Sequence, residues 1–327
     1  MQPARTAADN WGMSLPRMVV PGGTYHVTRT VVMSLYLLTP SDTVNQVFQY
    51  CLALAAKKYS VLVHAVSVES NHFHIDLTDT LGNLSEFVQE LDRCVARCLL
   101  AYYRARFPQR RFDALWSPSQ SFNATLLVTS NAVFDKIVYT LTNPVKDGLV
   151  RDYRKWPGFN TRPSDWCGRV RRVKRPDYYF KNTPEEIEYQ IVAPSQLDHG
   201  DIEALIAEVE SAIRERQSQA AEEHATQGRS FKGVKAVMRT DPFDSPSTPR
   251  AVGNLNPQIA AGGDGEALAR ATRALRAFRI AYREAWALFK RGAKAVVFPG
   301  GTLLMHRRYG LPCDPLDASC WCQLAVT

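Results

Sequence analysis

SVLVHAVSVESNHFHIDL, residues 60–77, is the stretch on which the fold turns. Two runs rich in β-branched and apolar residues, 60–68 and 72–77, flank a short polar break, and this pattern predicts a β-hairpin. Side chains alternate across a strand, so residues two apart share a side. His72 and His74 therefore emerge together, and Phe73 points the other way, into a core. On this reading both imidazoles face outward while the ring between them anchors the strand. An H-x-H pair is common by chance and acquires meaning only from a third element.

Working outward from the hairpin, residues 24–32 (TYHVTRTVV) follow Pro-Gly-Gly and read as a strand. Residues 41–58 carry apolar side chains at helical spacing behind a Ser41 or Asp42 cap. Residues 84–106 form a long amphipathic helix, 121–128 a fourth strand, and 131–143 a helix that stops at Pro144. The order β-α-β-β-α-β-α predicts an α+β fold: a ferredoxin-like βαββαβ antiparallel sheet with helices on one face. A largely helical C-terminal extension follows it. Residues 184–223 read as helical and charged. Residues 240–265, rich in proline and glycine, read as a linker, and 266–291 as an arginine-rich helix. The expected divisions are an N-terminal extension (1–20), a first domain (21–155), a basic and helical extension (156–239), the linker (240–265) and a C-terminal helical region (266–327).

Composition narrows the class. Hydrophobic content of 45% and charged content of 22% are those of a soluble globular chain. No run approaches a membrane span and the N-terminus has no apolar signal core, so the expected location is cytoplasmic. The seven cysteines fit reduced thiols. Cys94 with Cys98, and Cys320 with Cys322, lack the matching pairs of a zinc ribbon.

The formal net charge is +8, and residues 145–181 hold eleven lysines and arginines against four aspartates, a net +7. Tyr153, Trp156, Phe159, Trp166, Tyr178, Tyr179 and Phe180 are interleaved with these cations. Cations neutralise phosphates and aromatic rings stack on unpaired bases, so the segment reads as a nucleic-acid track. Its candidate contacts are Arg151, Arg154, Lys155, Arg169, Arg171, Arg172, Lys174 and Arg175. The competing reading is a solvated basic surface packed by its aromatics. The arginines of 266–291 are open to both readings as well.

The helix at 131–143 supplies the third element. At about 100° per residue, Val133, Phe134, Ile137, Val138 and Leu141 fall within an arc of roughly 140°. Tyr139 lies opposite, with Asn143 beside it one turn on. If that face meets the histidine face, the site holds two imidazoles, an amide and a phenol. Tyrosine can attack a phosphodiester and become covalently attached. A divalent ion on His72, His74 and Asn143, either Mn²⁺ or Mg²⁺, would polarise the phosphate. Tyr102, Tyr103 and Tyr153 compete for the nucleophile's role, and the strand histidines His26 and His64 read as core or surface residues.

GGTYHVT (22–28), SNHFHI (70–75), LW (115–116) and YTLTNPVKDGLV (139–150) together resemble the HUH single-strand endonucleases, above all the REP-associated tyrosine transposases. The resemblance covers about residues 18–155. It implies Tyr139 as nucleophile, His72 and His74 as metal ligands, and Asn143 at the third ligand's place. It also implies a 5′-phosphotyrosine intermediate on single-stranded or hairpin DNA, in a monomer or a homodimer. Two departures stand out: Glu69 stands just before SNH (70–72), where the family has methionine or similar, and WSPSQSFNA lacks the usual cations before the fourth strand. The alternative class is a domesticated, non-catalytic protein that binds hairpin DNA.

Overall fold

The computed structural model describes residues 16–118, 121–197, 200–247 and 257–315. Most of the 1–20 extension, the centre of the 240–265 linker, and Cys320 and Cys322 lie outside them.

Strands β1 (Gly23–Thr30), β2 (Val61–Val68), β3 (His72–Asp79) and β4 (Asn123–Leu127) alternate with helices α1 (Asp42–Tyr59) and α2 (Leu84–Arg106). The spatial order is β2-β3-β1-β4, with antiparallel neighbours throughout. This is the expected ferredoxin-like sheet. Ser41 caps α1 by accepting from the Val44 N–H, and Asp79 accepts from the Asn83 and Leu84 N–H groups at the start of α2.

Phe73 lies on the α1–α2 side, its ring 5.2 Å from Phe48 of α1 and 5.5 Å from Trp116. Together with Val27, Ile75 and Leu77 it is fully buried, each such side chain contributing about 1.5–3 kcal/mol. Helix α3 (Ser130–Lys146) covers the opposite face, where His72 and His74 emerge. The two imidazoles are therefore buried beneath a helix, and the expectation that they face outward is corrected.

Helix α3 also runs through Pro144 to Lys146. Proline so close to the end removes one donor, and the last turn closes through the Asp147 and Leu149 N–H groups onto Asn143 and Pro144 carbonyls. The apolar stripe of α3 is met by α4 (Ile202–Thr226), whose Leu205, Val209 and Ile213 are buried. At the junction the His224 Nε2–H donates to the Lys146 carbonyl at 3.0 Å. Gly148 has φ +70°, and a Cβ there would stand 2.9 Å from the His224 ring. The glycine of the 139–150 motif is thus required by both conformation and space.

Both sheet edges are closed. A short strand β7 (Ile259–Ala260) pairs parallel with β4. Along β2, the Phe159 carbonyl accepts from Val68 N–H and the Thr161 N–H donates to the Val66 carbonyl. The start of the segment expected as helix, residues 186–190, is a strand: β5 (Val170–Lys174) and β6 (Glu186–Gln190) form an antiparallel ribbon against α1. The period of two in VRRVK and EIEYQ, with Val173 and Ile187 buried, outweighs the charge density that suggested a helix. Within the expected linker, Phe243 packs on Tyr103, Phe107 and Phe112. The chain continues through α5 (Val234–Met238) to the arginine-rich α6 (Gly265–Lys290), which packs through Ala267, Ala271, Phe278 and Ala285, and to α7 (Leu303–Tyr309). Among the described residues, no helix is long and apolar enough to cross a membrane.

Candidate active site

The site is built from the β2–β3 turn, β3 itself, β1 and the inner face of α3. In the turn the Glu69 N–H donates to the His72 carbonyl at 2.8 Å, which folds Glu69 back beside the first histidine. Ligand-capable atoms of Glu69, His72 and His74 all lie within 4.8 Å of one another, and all three residues are buried. Glu69, at 1% exposure, is therefore not a solvent-facing charge.

Asn143 reaches this cluster from α3. Its Nδ2 lies 3.1 Å from His72 Nε2 and 3.1 Å from His74 Nε2, and it donates to Glu69 Oε1. His72 Nδ1 is 2.7 Å from Asn71 Oδ1; an amide oxygen only accepts, so the proton is on Nδ1 and the Nε2 lone pair faces the cluster. Two amide hydrogens thus confront three acceptors. An electron-rich, buried set of two imidazole nitrogens and one carboxylate suits a divalent cation. Turning the Asn143 amide through half a revolution would offer Oδ1 as a fourth donor.

Tyr139 sits on the same face of α3. Its ring centre is 5.4 Å from His74 and 5.7 Å from His26, edge-on to both. Lys136 and Lys146 each bring an ammonium close to this ring, at 5.0 and 4.8 Å from the centroid. Burial lowers the Lys136 pKa, with nearby Asp76 opposing the shift. The half-buried phenol therefore stands between the imidazoles and two cations.

The competing tyrosines are occupied elsewhere. The Tyr103 hydroxyl donates to the Leu37 carbonyl at 2.9 Å, and burial pushes its pKa well up. The Tyr153 hydroxyl donates to Glu210 at 2.6 Å, and burial first, then that carboxylate, raises its pKa likewise. Tyr102 packs on Tyr103 and Tyr178, on the α2 side of the sheet.

The chain is similar to solved transposase structures. A REP-associated tyrosine transposase bound to a REP hairpin aligns with a TM-score of 0.38 at 19% identity, over 55% of this chain and 99% of that one. A transposase-like protein from Deinococcus radiodurans R1 aligns with a TM-score of 0.26 at 22% identity, over 34% of this chain and 84% of that one. No family model and no curated protein matches the sequence. Likenesses this distant assign no residue a role.

The basic segment departs from its first reading. Tyr153, Trp156, Phe159, Trp166 and Phe180 are buried, so they pack the core and offer no face to a base. The indole N–H groups of Trp156 and Trp166 donate to the Val68 and His64 carbonyls along β2. Tyr178 is half-buried, and of the seven aromatics Tyr179 alone is exposed. Several cations are already paired: Arg154 with Glu210, Arg169 and Arg171 with Asp165, Arg172 with Glu188, and Arg175 with Glu185. Arg151, Lys155 and Lys174 are exposed and form no ion pair among the described residues.

Sequence reasoning missed His26 and Asp76 in this site. Alternation carried one step past His74 already puts Asp76 on the same face, and strand register sets His26 directly opposite it. His64, by contrast, is a satisfied core residue between the Val192 carbonyl and the Thr78 hydroxyl. Cys94 and Cys98 are buried free thiols with pKa values raised by burial to about 11 and about 12.

Proposed function

We propose that the chain nicks and rejoins single-stranded DNA, of hairpin type, through a 5′-phosphotyrosine on Tyr139, in the manner of a REP-associated tyrosine transposase. The observation that carries this reading is the edge-on meeting of Tyr139 with His74, beside the buried cluster of Glu69, His72 and Asn143.

Glu69, His72 and His74 would hold a divalent ion, Mn²⁺ or Mg²⁺, with Asn143 as a further donor. When bound, such an ion supplies Lewis-acid polarisation of a non-bridging phosphate oxygen. The remaining chemistry belongs to the chain. The Tyr139 oxygen forms a bond to phosphorus as the P–O3′ bond breaks; the phenol gives up one proton and the departing 3′-oxygen gains one. Attack of a 3′-hydroxyl on the phosphotyrosine reverses the step and rejoins the strand. An unperturbed phenol, with a pKa of about 10, is mostly protonated near neutrality. The Lys136 and Lys146 ammonium groups favour its anionic form and offset the charge of the incoming phosphodiester. Phosphate contacts along the strand would come from the exposed members of the basic segment, Arg151, Lys155 and Lys174 first among them.

The test is an oligonucleotide hairpin with single-stranded flanks, incubated with the full chain and Mn²⁺ or Mg²⁺. The expected product is a protein–DNA adduct that survives denaturation, with Tyr139→Phe binding the hairpin but forming none. Equal adduct yield from Tyr139→Phe removes the reading. Tight binding without an adduct under either ion favours the non-catalytic hairpin binder instead.

A further inference from the structure

We infer that His26 and Asp76 form an outer relay that fixes the tautomer and ring orientation of His74, so that its Nε2 lone pair is held toward a divalent cation. The inference rests on the reading of His72 and His74 as metal ligands and adds to it two positioning residues.

The relay is a line of buried atoms. His26 and Asp76 are register partners on β1 and β3, and His26 Nδ1 lies 2.7 Å from Asp76 Oδ1. The other nitrogen of the same ring, Nε2, lies 3.2 Å from His74 Nδ1, and the two rings stack with centres 5.1 Å apart. All three residues are buried. Thr140 of α3 closes over His26, its hydroxyl 3.4 Å from Nδ1.

With a neutral His26, proton counting leaves one consistent assignment; a doubly protonated His26 would need the other His74 tautomer, whose Nε2–H would face the Asn143 amide hydrogens at 3.1 Å. An ionised carboxylate only accepts, so His26 carries its proton on Nδ1 and donates it to Asp76. His26 Nε2 is then an acceptor and takes the Nδ1–H of His74. What remains on His74 is an Nε2 lone pair, on the side where His72 Nε2, Glu69 and Asn143 converge. The other His74 tautomer would set two lone pairs against each other at 3.2 Å and place a hydrogen where the ligand atom is needed. Carboxylates commonly orient metal-bound histidines and raise their basicity; here the carboxylate acts through an intervening imidazole. Asp76 Oδ2 is buried with no hydrogen-bond partner, an electrostatic cost that packing alone does not call for.

The experiment uses the full chain in two measurements. In long-range ¹H–¹⁵N spectra of the metal-free protein, His74 is expected as the Nδ1–H tautomer; an Nε2–H form overturns the relay. In calorimetric titration with Mn²⁺, His26→Phe is expected to bind roughly 10–100-fold more weakly than the native chain. His26→Gln, whose side-chain oxygen can still accept from His74, is expected to recover most of that loss. A purely structural His26 would lower the melting temperature of both variants without separating their Mn²⁺ affinities, and native affinity in a folded His26→Phe protein overturns the inference. Should the native chain bind no Mn²⁺, the ligand reading fails on its own account. The tautomer measurement still decides the relay in that case, and equally if His26→Phe does not fold.

Discussion

Asn143 Nδ2 stands 3.1 Å from His74 Nε2, at the point toward which the imidazole lone pairs converge. A carboxamide there does part of a cation's work: it offers positive hydrogens to the surrounding acceptors and keeps a buried carboxylate compensated. Asn143→Asp removes those hydrogens and sets a second carboxylate beside Glu69. In the metal-free chain the expected cost is about 3–5 kcal/mol, a fall in melting temperature on the order of 10 °C. Saturating Mn²⁺ should recover more stability in the variant than it adds to the native protein. Thermal melts with Mn²⁺ and with chelator check this. An identical metal-induced rise in both proteins would place Asn143 outside the cation's reach.

Removing one proposed ligand should separate cutting from binding. His72→Ala is expected to abolish the covalent adduct while changing hairpin affinity only a few-fold, since phosphate contacts come from basic side chains elsewhere. Tyr153→Phe should behave oppositely to Tyr139→Phe: adduct formation persists, and stability falls by about 1–3 kcal/mol because the Glu210 carboxylate loses its hydroxyl donor. Adduct assays alongside denaturant melts distinguish the three variants.

What could be read in one dimension was local. The period of two across 72–77 gave the shared face of His72 and His74, and helical spacing gave α1 and α2 with their ends nearly in place. Other features depend on contacts far apart in sequence. That α3 seals the histidine face, and that Glu69 folds back beneath it, follow from docking a helix onto a sheet 70 residues away. The His26–Asp76 pairing follows from strand register. The aromatics of 153–180 looked like a stacking surface because composition does not say which side of a segment is covered; here β2 and α1 cover it.

His64 provides a pH dependence unconnected with the chemistry. Its ring is fully enclosed, its Nδ1–H donates to the Val192 carbonyl, and its Nε2 accepts from Thr78. Burial lowers its pKa from 6.5 to about 4. Above pH ~6.5 the residue is neutral in both folded and unfolded chains. Below that, the unfolded chain takes up a proton that the folded chain refuses until about pH 4. The stability associated with the neutral ring is thus full above 6.5 and is lost progressively between 6.5 and 4, about 3 kcal/mol in all. Subtracting the unfolding free energies of His64→Gln from those of the native chain cancels the other titrating groups. The difference should shrink by about that amount across the window, and a flat difference would mean that His64 accepts its proton when folded.

The ion pairs along β5 and β6 set the size of the expected salt effect. Each cation that meets a phosphate contributes about 0.7 to the slope of log affinity against log salt on a single strand, so four free cations would contribute nearly 3. Arg171 Nη2 is 2.7 Å from Asp165 Oδ2, and Arg172 Nε is 2.7 Å from Glu188 Oε1, so these two are already matched by acids. Neutralising Arg171, Arg172, Lys174 and Arg175 together to glutamine should therefore reduce the slope by about 1–2, with exposed Lys174 the largest contributor. Arg171→Gln alone should act on stability more than on binding. It leaves the buried Asp165 carboxylate with the Arg162 N–H at 2.8 Å and, as its cationic partner, the longer 3.6 Å contact to Arg169, and a loss of about 2 kcal/mol is expected. Fluorescence titrations of the hairpin over a salt series, paired with denaturant melts, read both effects. A slope untouched by the fourfold change would move the DNA track off this ribbon altogether.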